Sequence, residues 1–98
     1  MGNGLKSADF LMERRLVNAA GGDIGALYDL GIIHSMGTSE HGVDLIEAHK
    51  WFNLAAVSGM AEAAEARADV SEDMTAREIA EAQRRARAWL GATRRLAA

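Results

Sequence analysis

Glycines divide this 98-residue chain into segments that carry the 3.6-residue periodicity of amphipathic helices. Gly21, Gly22, Gly37, Gly42 and Gly59 stand between these segments, where helix C-termini and turns favour glycine. The chain has no proline, and 49% of its residues are hydrophobic, many of them alanine. The β-branched residues that favour strands are scarce. The sequence therefore predicts an all-α fold of about five helices.

The first two helices are predicted over residues 7–20 and 24–36. Ser7 is the expected N-cap of the first helix, and Asp23 that of the second. One broad arc of the first helix carries the apolar residues Phe10, Met12, Leu16 and Val17. A glycine inside a helix costs about 1 kcal/mol relative to alanine. Gly31 lies on the apolar face of the second helix, so it predicts the close approach of a neighbouring helix.

Two capping patterns introduce the third and fifth helices. Asp44 and Glu47 form a D-x-x-E variant of the capping box, and Thr75 and Glu78 form a second box. The fourth helix, over about 61–70, is alanine-rich, and the fifth runs to about residue 96. The apolar face of the third helix consists of Leu45, Ala48, Trp51, Phe52, Ala55 and Ala56, and that of the fifth of Ile79, Ala82, Ala86, Trp89 and Leu90. Alanine beside large rings is typical of closely packed helices.

The helical segments repeat along the chain. The pattern of residues 22–26 recurs in outline at 59–63, 37 residues later, and Glu47-Ala48 recurs as Glu81-Ala82, 34 residues later. The single domain, residues 1–98, is thereby divided into an N-terminal helix (7–20), a first repeat (22–58) and a second, degenerate repeat (59–96). The predicted architecture is a short α/α solenoid of antiparallel helix pairs.

The first repeat resembles a known family. Residues 26–31 (ALYDLG), a glycine-bearing loop, residues 44–56 (DLIEAHKWFNLAA), Gly59 and Ala63 together look like a Sel-1-like repeat, a relative of the tetratricopeptide repeats. The segment 74–83 (MTAREIAEAQ) is similar to the closing segment of short bacterial members. The resemblance implies a repeat core made of Leu27, Tyr28, Gly31, Ala48, Trp51, Phe52, Ala55, Ala56, Gly59, Ile79, Ala82 and Trp89. It also implies a scaffold or adaptor role without catalytic residues.

Two departures from the family pattern affect what the repeats are expected to do. The family's Gly-x-Gly-Val loop is extended here, because Gly37 and Gly42 are five residues apart. In the second repeat the equivalents of Leu27, Tyr28 and Gly31 are the smaller or polar residues Ala64, Glu65 and Ala68. A repeat that departs from the family pattern in this way is typical of a terminal capping repeat.

Composition limits the function classes. The chain has no cysteine, so thiolate chemistry and disulfides are excluded. No apolar run is long enough for a transmembrane helix, and the net charge of −3 is ordinary for a cytoplasmic protein. The three histidines, His34, His41 and His49, are expected to be solvated or capping rather than metal ligands, and most carboxylates to be helix-surface charges. We therefore expect a cytoplasmic protein with no enzymatic activity, cofactor or membrane partner.

The favoured function is binding another protein, whose identity the sequence does not give. Candidate contact residues on the concave face are Asp29, Ile32 and Ser35, all expected to be exposed. The 37–43 loop adds Glu40 and His41, because insertions in repeats often collect on a binding face.

Two alternatives to binding a foreign protein stay open. The first is a homodimer or other self-associating assembly through Phe10, Met12, Leu16 and Val17, unless the first helix simply caps the stack. The second and more remote one is nucleic-acid binding by the arginines of residues 76–98, which are Arg77, Arg84, Arg85, Arg87, Arg94 and Arg95.

Overall fold

A computed structural model describes the backbone of residues 3–97 and the side chains of residues 10–95. Within that part of the chain it contains five α-helices and no strand: α1 (Asn3–Ala20), α2 (Ile24–Met36), α3 (Leu45–Val57), α4 (Ala61–Ser71) and α5 (Ala76–Ala97). The all-α prediction is confirmed, and the bounds of α2 are those expected. The N-cap assigned to Ser7 is wrong. Helix α1 begins four residues earlier, because no proline precedes Ser7 to prevent the helix from extending towards the N-terminus.

Side chains cap two of the helices as the sequence predicts. At the start of α2, Oδ1 of Asp23 accepts a hydrogen bond from the backbone amide of Ala26 (3.2 Å). Before α5 the capping box is reciprocal. The amide of Glu78 donates to Oγ1 of Thr75 (3.1 Å), and the amide of Thr75 donates to Oε1 of Glu78 (2.8 Å).

The D-x-x-E capping box before α3 is only half formed. Oδ1 of Asp44 accepts from the amide of Glu47 (3.0 Å). The amide of Asp44 donates instead to the carbonyl oxygen of His34 (2.9 Å), at the end of α2. Because that amide is already satisfied, the carboxylate of Glu47 is available to pair elsewhere, and it does so with α5.

The turns that end α1 and α3 match each other. Gly22 and Gly59 follow these helices with φ of 98° and 114°, in the left-handed region that glycine adopts without a steric penalty. Four residues after each glycine, Ala26 and Ala63 are both buried. The two units therefore enter their first helices through the same kind of turn and bury the same small residue.

Helix α3 occupies the centre of the molecule and packs on α2, α4 and α5, while α1 packs on α2. The rings of Tyr28 and Phe52 lie 5.5 Å apart between α2 and α3. A Cβ atom added to Gly31 would lie 2.9 Å from Cγ of Phe52, and nearer still to Cδ1 and Cε1 of that ring. The predicted close approach at Gly31 is confirmed, and the neighbouring helix is α3.

Helices α3 and α5 run in the same direction. Glu47 contacts Arg85 and Trp51 contacts Trp89, and the separation along the chain is 38 residues in both pairs. Equal separations mean that the two helices are parallel. The indole rings meet edge to face, with centroids 4.7 Å apart and planes at 76°, a favoured geometry for aromatic pairs. Helices α3 and α5 thus lie side by side.

Most of the expected repeat core is inside the molecule. Seven of the twelve residues are buried: Leu27, Gly31, Ala48, Trp51, Phe52, Ala55 and Ala82. Tyr28, Ala56, Ile79 and Trp89 are half-buried, and Gly59 lies exposed in its turn. Six further buried residues in the described part of the chain belong to the core and were not among the twelve expected ones: Ala19, Ala26, Leu30, Leu54, Ala63 and Ala86.

The apolar arc predicted for α1 divides between two sides of the helix. Met12 and Leu16 pack against the core, next to the buried Ala19. Phe10 and Val17 are 57% and 72% exposed. The broad arc is only partly covered, because it spans about half of the helix circumference and the rest of the molecule packs on one side of it.

Candidate functional site

An open groove of about 760 Å³ lies at the end of the α2–α3 pair. It is formed by the end of α2, the loop that follows and the start of α3, with one residue each from α1 and α5 beside them. The lining residues are Met12, His34, Glu40, His41, Gly42, Val43, Asp44, Leu45, Ile46 and Glu78. Two of the predicted contact residues, Glu40 and His41, therefore belong to a concave surface.

The loop beside this groove is held by its own hydrogen bonds. The amide of Thr38 donates to the carbonyl oxygen of His41 (2.6 Å), and the amide of His41 donates back to Oγ1 of Thr38 (2.9 Å). Gly37 turns the chain out of α2 with φ of 74°. At the other end of the loop, the amide of Asp44 donates to the carbonyl oxygen of His34 (2.9 Å). The groove thus has a wall that is largely pre-formed, which reduces the entropy lost on binding.

The groove combines apolar surface with negative charge. Val43 is 59% exposed, and Met12, Leu45 and Ile46 add further apolar lining. Three carboxylates contribute to the lining: Glu40, Asp44 and Glu78. Those of Asp44 and Glu78 are fixed by the helix caps they form. Such a surface is suited to a segment that carries an apolar side chain and a basic group.

His34 is the histidine on the helical side of this groove. Burial lowers its pKa, while the nearby carboxylates of Glu47 and Asp44 oppose that shift without cancelling it. At neutral pH the groove therefore has a neutral imidazole beside its carboxylates. Within the described residues, no three His, Asp or Glu side chains converge as a metal site would require.

A network of charged side chains joins α3 to α5. The two oxygens of Glu47 bind Nζ of Lys50 (3.2 Å) and a terminal nitrogen of Arg85 (2.9 Å). The Nε of Arg85 also binds Glu81 (2.7 Å), whose carboxylate takes two further hydrogen bonds from Arg84 (2.7 and 2.8 Å). Arg85 thus bridges Glu47 and Glu81, the two glutamates that the repeat aligns with each other.

The network stabilises the ionised form of both glutamates. Burial raises the pKa of Glu47, but the hydrogen bonds from Arg85 and Lys50 outweigh it, and its pKa lies below the usual range. Hydrogen bonds from Arg84 and Arg85 lower the pKa of Glu81 to about 2. Lys50 also lies 4.1 Å from the ring centroid of Trp51, so its charge faces an aromatic ring as well as a carboxylate. Sequence reasoning missed this network, although the repeated Glu-Ala-x-Lys/Arg pattern was a signal for it.

The other predicted contact residues, Asp29, Ile32 and Ser35, lie on α2 outside the groove lining. Asp29 is exposed but forms an ion pair with Nε of Arg15 in α1 (3.0 Å). Ile32 and Ser35 are half-buried, and the hydroxyl of Ser35 donates to the carbonyl oxygen of Ile32 (2.9 Å). The expectation that these two are exposed is wrong, because the structure leaves both only partly accessible, and the hydroxyl of Ser35 is bound to its own helix. The structure does not bring them together with Glu40 and His41 in the groove.

His49 is not the solvated side chain that the sequence suggested. It is buried, its Nδ1 has no hydrogen-bond partner among the described residues, and the same holds for Nε1 of Trp51. Burial, and to a lesser extent the charge of Arg67, lowers the pKa of His49. A neutral imidazole inside a packed helix pair is a structural feature, and it lies outside the groove lining.

The arginines near the C-terminus do not form one free basic surface. Arg84 and Arg85 are engaged by Glu81 and Glu47. Arg95 lies in the last turn of α5 and donates to the carbonyl oxygen of Gly91 (3.3 Å), where positive charge also complements the helix dipole. The ion pairs of Arg84 and Arg85 offset part of the positive charge that the remote nucleic-acid alternative requires.

Over the described residues, none of the helices has the length and apolar character needed to cross a membrane. Comparison of the chain with protein-family models, curated proteins and solved structures gave no match. The Sel-1-like resemblance therefore rests on the residues that carry it.

Proposed function

We propose that this chain is a protein-interaction module of the Sel-1-like repeat type, a cytoplasmic scaffold or adaptor of the bacterial kind, without catalysis or cofactor. Its binding site is the groove at the end of the α2–α3 pair. The ligand is a short segment of another protein that carries an apolar side chain next to a lysine or arginine. The observation that supports this proposal is the groove lining, which combines exposed Val43 with the carboxylates of Glu40, Asp44 and Glu78.

The size and rigidity of the groove agree with a peptide ligand. Its volume of about 760 Å³ falls within the range of surface sites that enclose a few side chains. The apolar residues would supply most of the affinity, while the carboxylates would select basic ligands and disfavour acidic ones. The loop is braced by Thr38 and Gly37, so little ordering is needed on binding.

A displayed library of random peptides, selected on the immobilised protein, tests the proposal. Selected peptides should be enriched in Leu, Ile or Phe beside Lys or Arg. Their affinity should fall at least about tenfold in Val43→Asp and in Glu40→Lys, because one change adds a charge to apolar surface and the other removes charge complementarity.

Two variants with the same chemical change outside the groove serve as controls. Val57→Asp introduces a charge at a residue that is 65% exposed at the other end of α3, and Glu62→Lys reverses an exposed charge on α4. Both should bind the selected peptides like the wild type. Peptides that are mainly acidic, or that bind Val43→Asp without loss, would contradict the proposal.

A further inference from the structure

The side of α1 that faces away from the core carries a short stripe of four residues. Phe10, Glu13, Arg14 and Val17 follow the i, i+3, i+4, i+7 spacing that places residues on one helix face. The two apolar members, Phe10 and Val17, are largely exposed, and the four residues line a shallow groove of about 350 Å³ together with Asn18. We call these four residues the outer α1 stripe.

The order of residues in the outer α1 stripe is self-complementary. It reads apolar, acidic, basic, apolar, and its midpoint lies between Glu13 and Arg14. When two such helices lie antiparallel with a twofold axis at this midpoint, Phe10 of each copy faces Val17 of the other. Glu13 of each copy then faces Arg14 of the other. A parallel pair in register would instead place like charges opposite each other.

We propose that the outer α1 stripe is a homodimer interface in which a second copy of this chain packs antiparallel on α1. A twofold interface must use the same patch on both copies, and the stripe satisfies this requirement in both its apolar and its charged positions. Arg14 is already held near Phe10, with its guanidinium carbon 5.9 Å from the ring centroid. Arg14 of each copy is thus positioned beside one of the apolar residues that the partner copy covers.

The dimer is weak and reversible. One pair of crossing helices buries much less than the roughly 1,600 Å² of a standard stable interface, so association is expected at micromolar or higher protein concentration. Met12 and Leu16 stay in the core of each copy, so dimerisation requires no rearrangement of the fold. The interface does not depend on the function proposed for the α2–α3 groove. If both hold, the dimer presents two such grooves and binds bivalent ligands with higher avidity.

Charge reversal at the centre of the stripe provides the test, with association measured by sedimentation equilibrium over about micromolar to millimolar concentrations. The wild type should show a monomer–dimer equilibrium. Glu13→Arg and Arg14→Glu should each raise the dimer Kd about tenfold or more, because each places like charges opposite one another at two symmetric positions. The double variant Glu13→Arg/Arg14→Glu should restore the Kd to within about threefold of the wild type, because it exchanges the charges of each pair.

A mixture of the two single variants adds an independent arm. The copy with Glu13→Arg and the copy with Arg14→Glu are complementary to each other, so the mixture should form heterodimers more readily than either variant forms homodimers. Glu62→Arg, an exposed charge reversal on α4, should leave the Kd unchanged. Circular dichroism shows that each variant keeps its helices.

Three results would overturn this inference. The first is a wild type that is strictly monomeric up to about millimolar concentration. The second is a folded double variant that fails to regain association. The third is a mixture of the single variants that associates no better than either variant alone.

Discussion

Replacing Gly31 with alanine has two opposing effects on stability. Alanine favours a helix interior over glycine by about 1 kcal/mol, so propensity alone predicts a more stable protein. The added Cβ would lie 2.9 Å from Cγ of Phe52 and closer to two other atoms of the ring. Phe52 is only 1% exposed, so the ring has no path to solvent and must displace its neighbours.

The packing effect should be the larger one. Overfilling a close-packed core costs typically about 1–3 kcal/mol. The overlap here involves three atoms of a buried ring, so we place the cost at about 2–3 kcal/mol and the net destabilisation at about 1–2 kcal/mol. For a domain of this size, the midpoint of thermal unfolding should fall by at least about 4 °C.

Urea unfolding followed by tryptophan fluorescence measures this change, and Gly91→Ala is the matched control. Gly91 lies in α5, where an added Cβ would meet nothing closer than 3.9 Å, at the end of the Arg95 side chain. That variant should gain about 1 kcal/mol from helix propensity. In the Gly31→Ala background, Phe52→Leu should lower the free energy of unfolding by less than it does in the wild type, because the smaller side chain relieves the overlap. If Gly31→Ala is as stabilising as Gly91→Ala, the packing of α2 on α3 described above is wrong.

Three further predictions concern charge and capping. Arg85→Met should lower the free energy of unfolding, measured by urea titration, by about 1 kcal/mol, because the half-exposed guanidinium links α3 to α5. Arg84→Met is the control and should have no measurable effect, because Arg84 lies at the exposed end of the network. Because the pKa of His49 is lowered in the folded protein, the unfolded chain binds more protons just below pH 6.5, and stability should decrease as the pH falls through 6.5 towards the folded-state pKa. His49→Leu should reduce the slope of the free energy of unfolding against pH and leave only the part due to His34. An unchanged slope would show that His49 does not cause this pH dependence. Thr75→Ala should cost about 1 kcal/mol and Thr75→Ser much less, measured by thermal unfolding, and equal losses in the two variants would rule out the hydroxyl as the cap.

Local sequence patterns predicted the helices because the signals for a helix end are themselves local. Asp23 and Thr75 cap their helices through residues three positions away, which periodicity and capping rules detect. The prediction that Ser7 is an N-cap failed because it also rested on a local signal alone. A good N-cap residue also fits inside a helix when nothing prevents the helix from continuing past it, and no local rule weighs these two outcomes.

The details of packing were harder to predict, because they depend on which helices meet. The repeat aligned Glu47 with Glu81, but the residue of α5 that reaches Glu47 is Arg85, one helical turn further along. Neither the burial of His49 nor the partial burial of Ile32 follows from its own sequence neighbours. The loop residues Glu40 and His41 were identified because an extended loop between helices is visible in the sequence, whereas the acidic and apolar lining beside them comes from α1, α3 and α5.

The central claim is that the second helices of the two units, α3 and α5, lie side by side and parallel. The chain has only two tryptophans, and both are at this contact, so nuclear Overhauser effects between their indole rings are a direct measure of it. With ring centroids 4.7 Å apart, strong cross-peaks should connect Trp51 and Trp89 in the folded protein. If Trp89 instead shows its cross-peaks to residues of α4 and none to Trp51, then α4 and α5 form a separate hairpin, and the account of two stacked repeat units is contradicted.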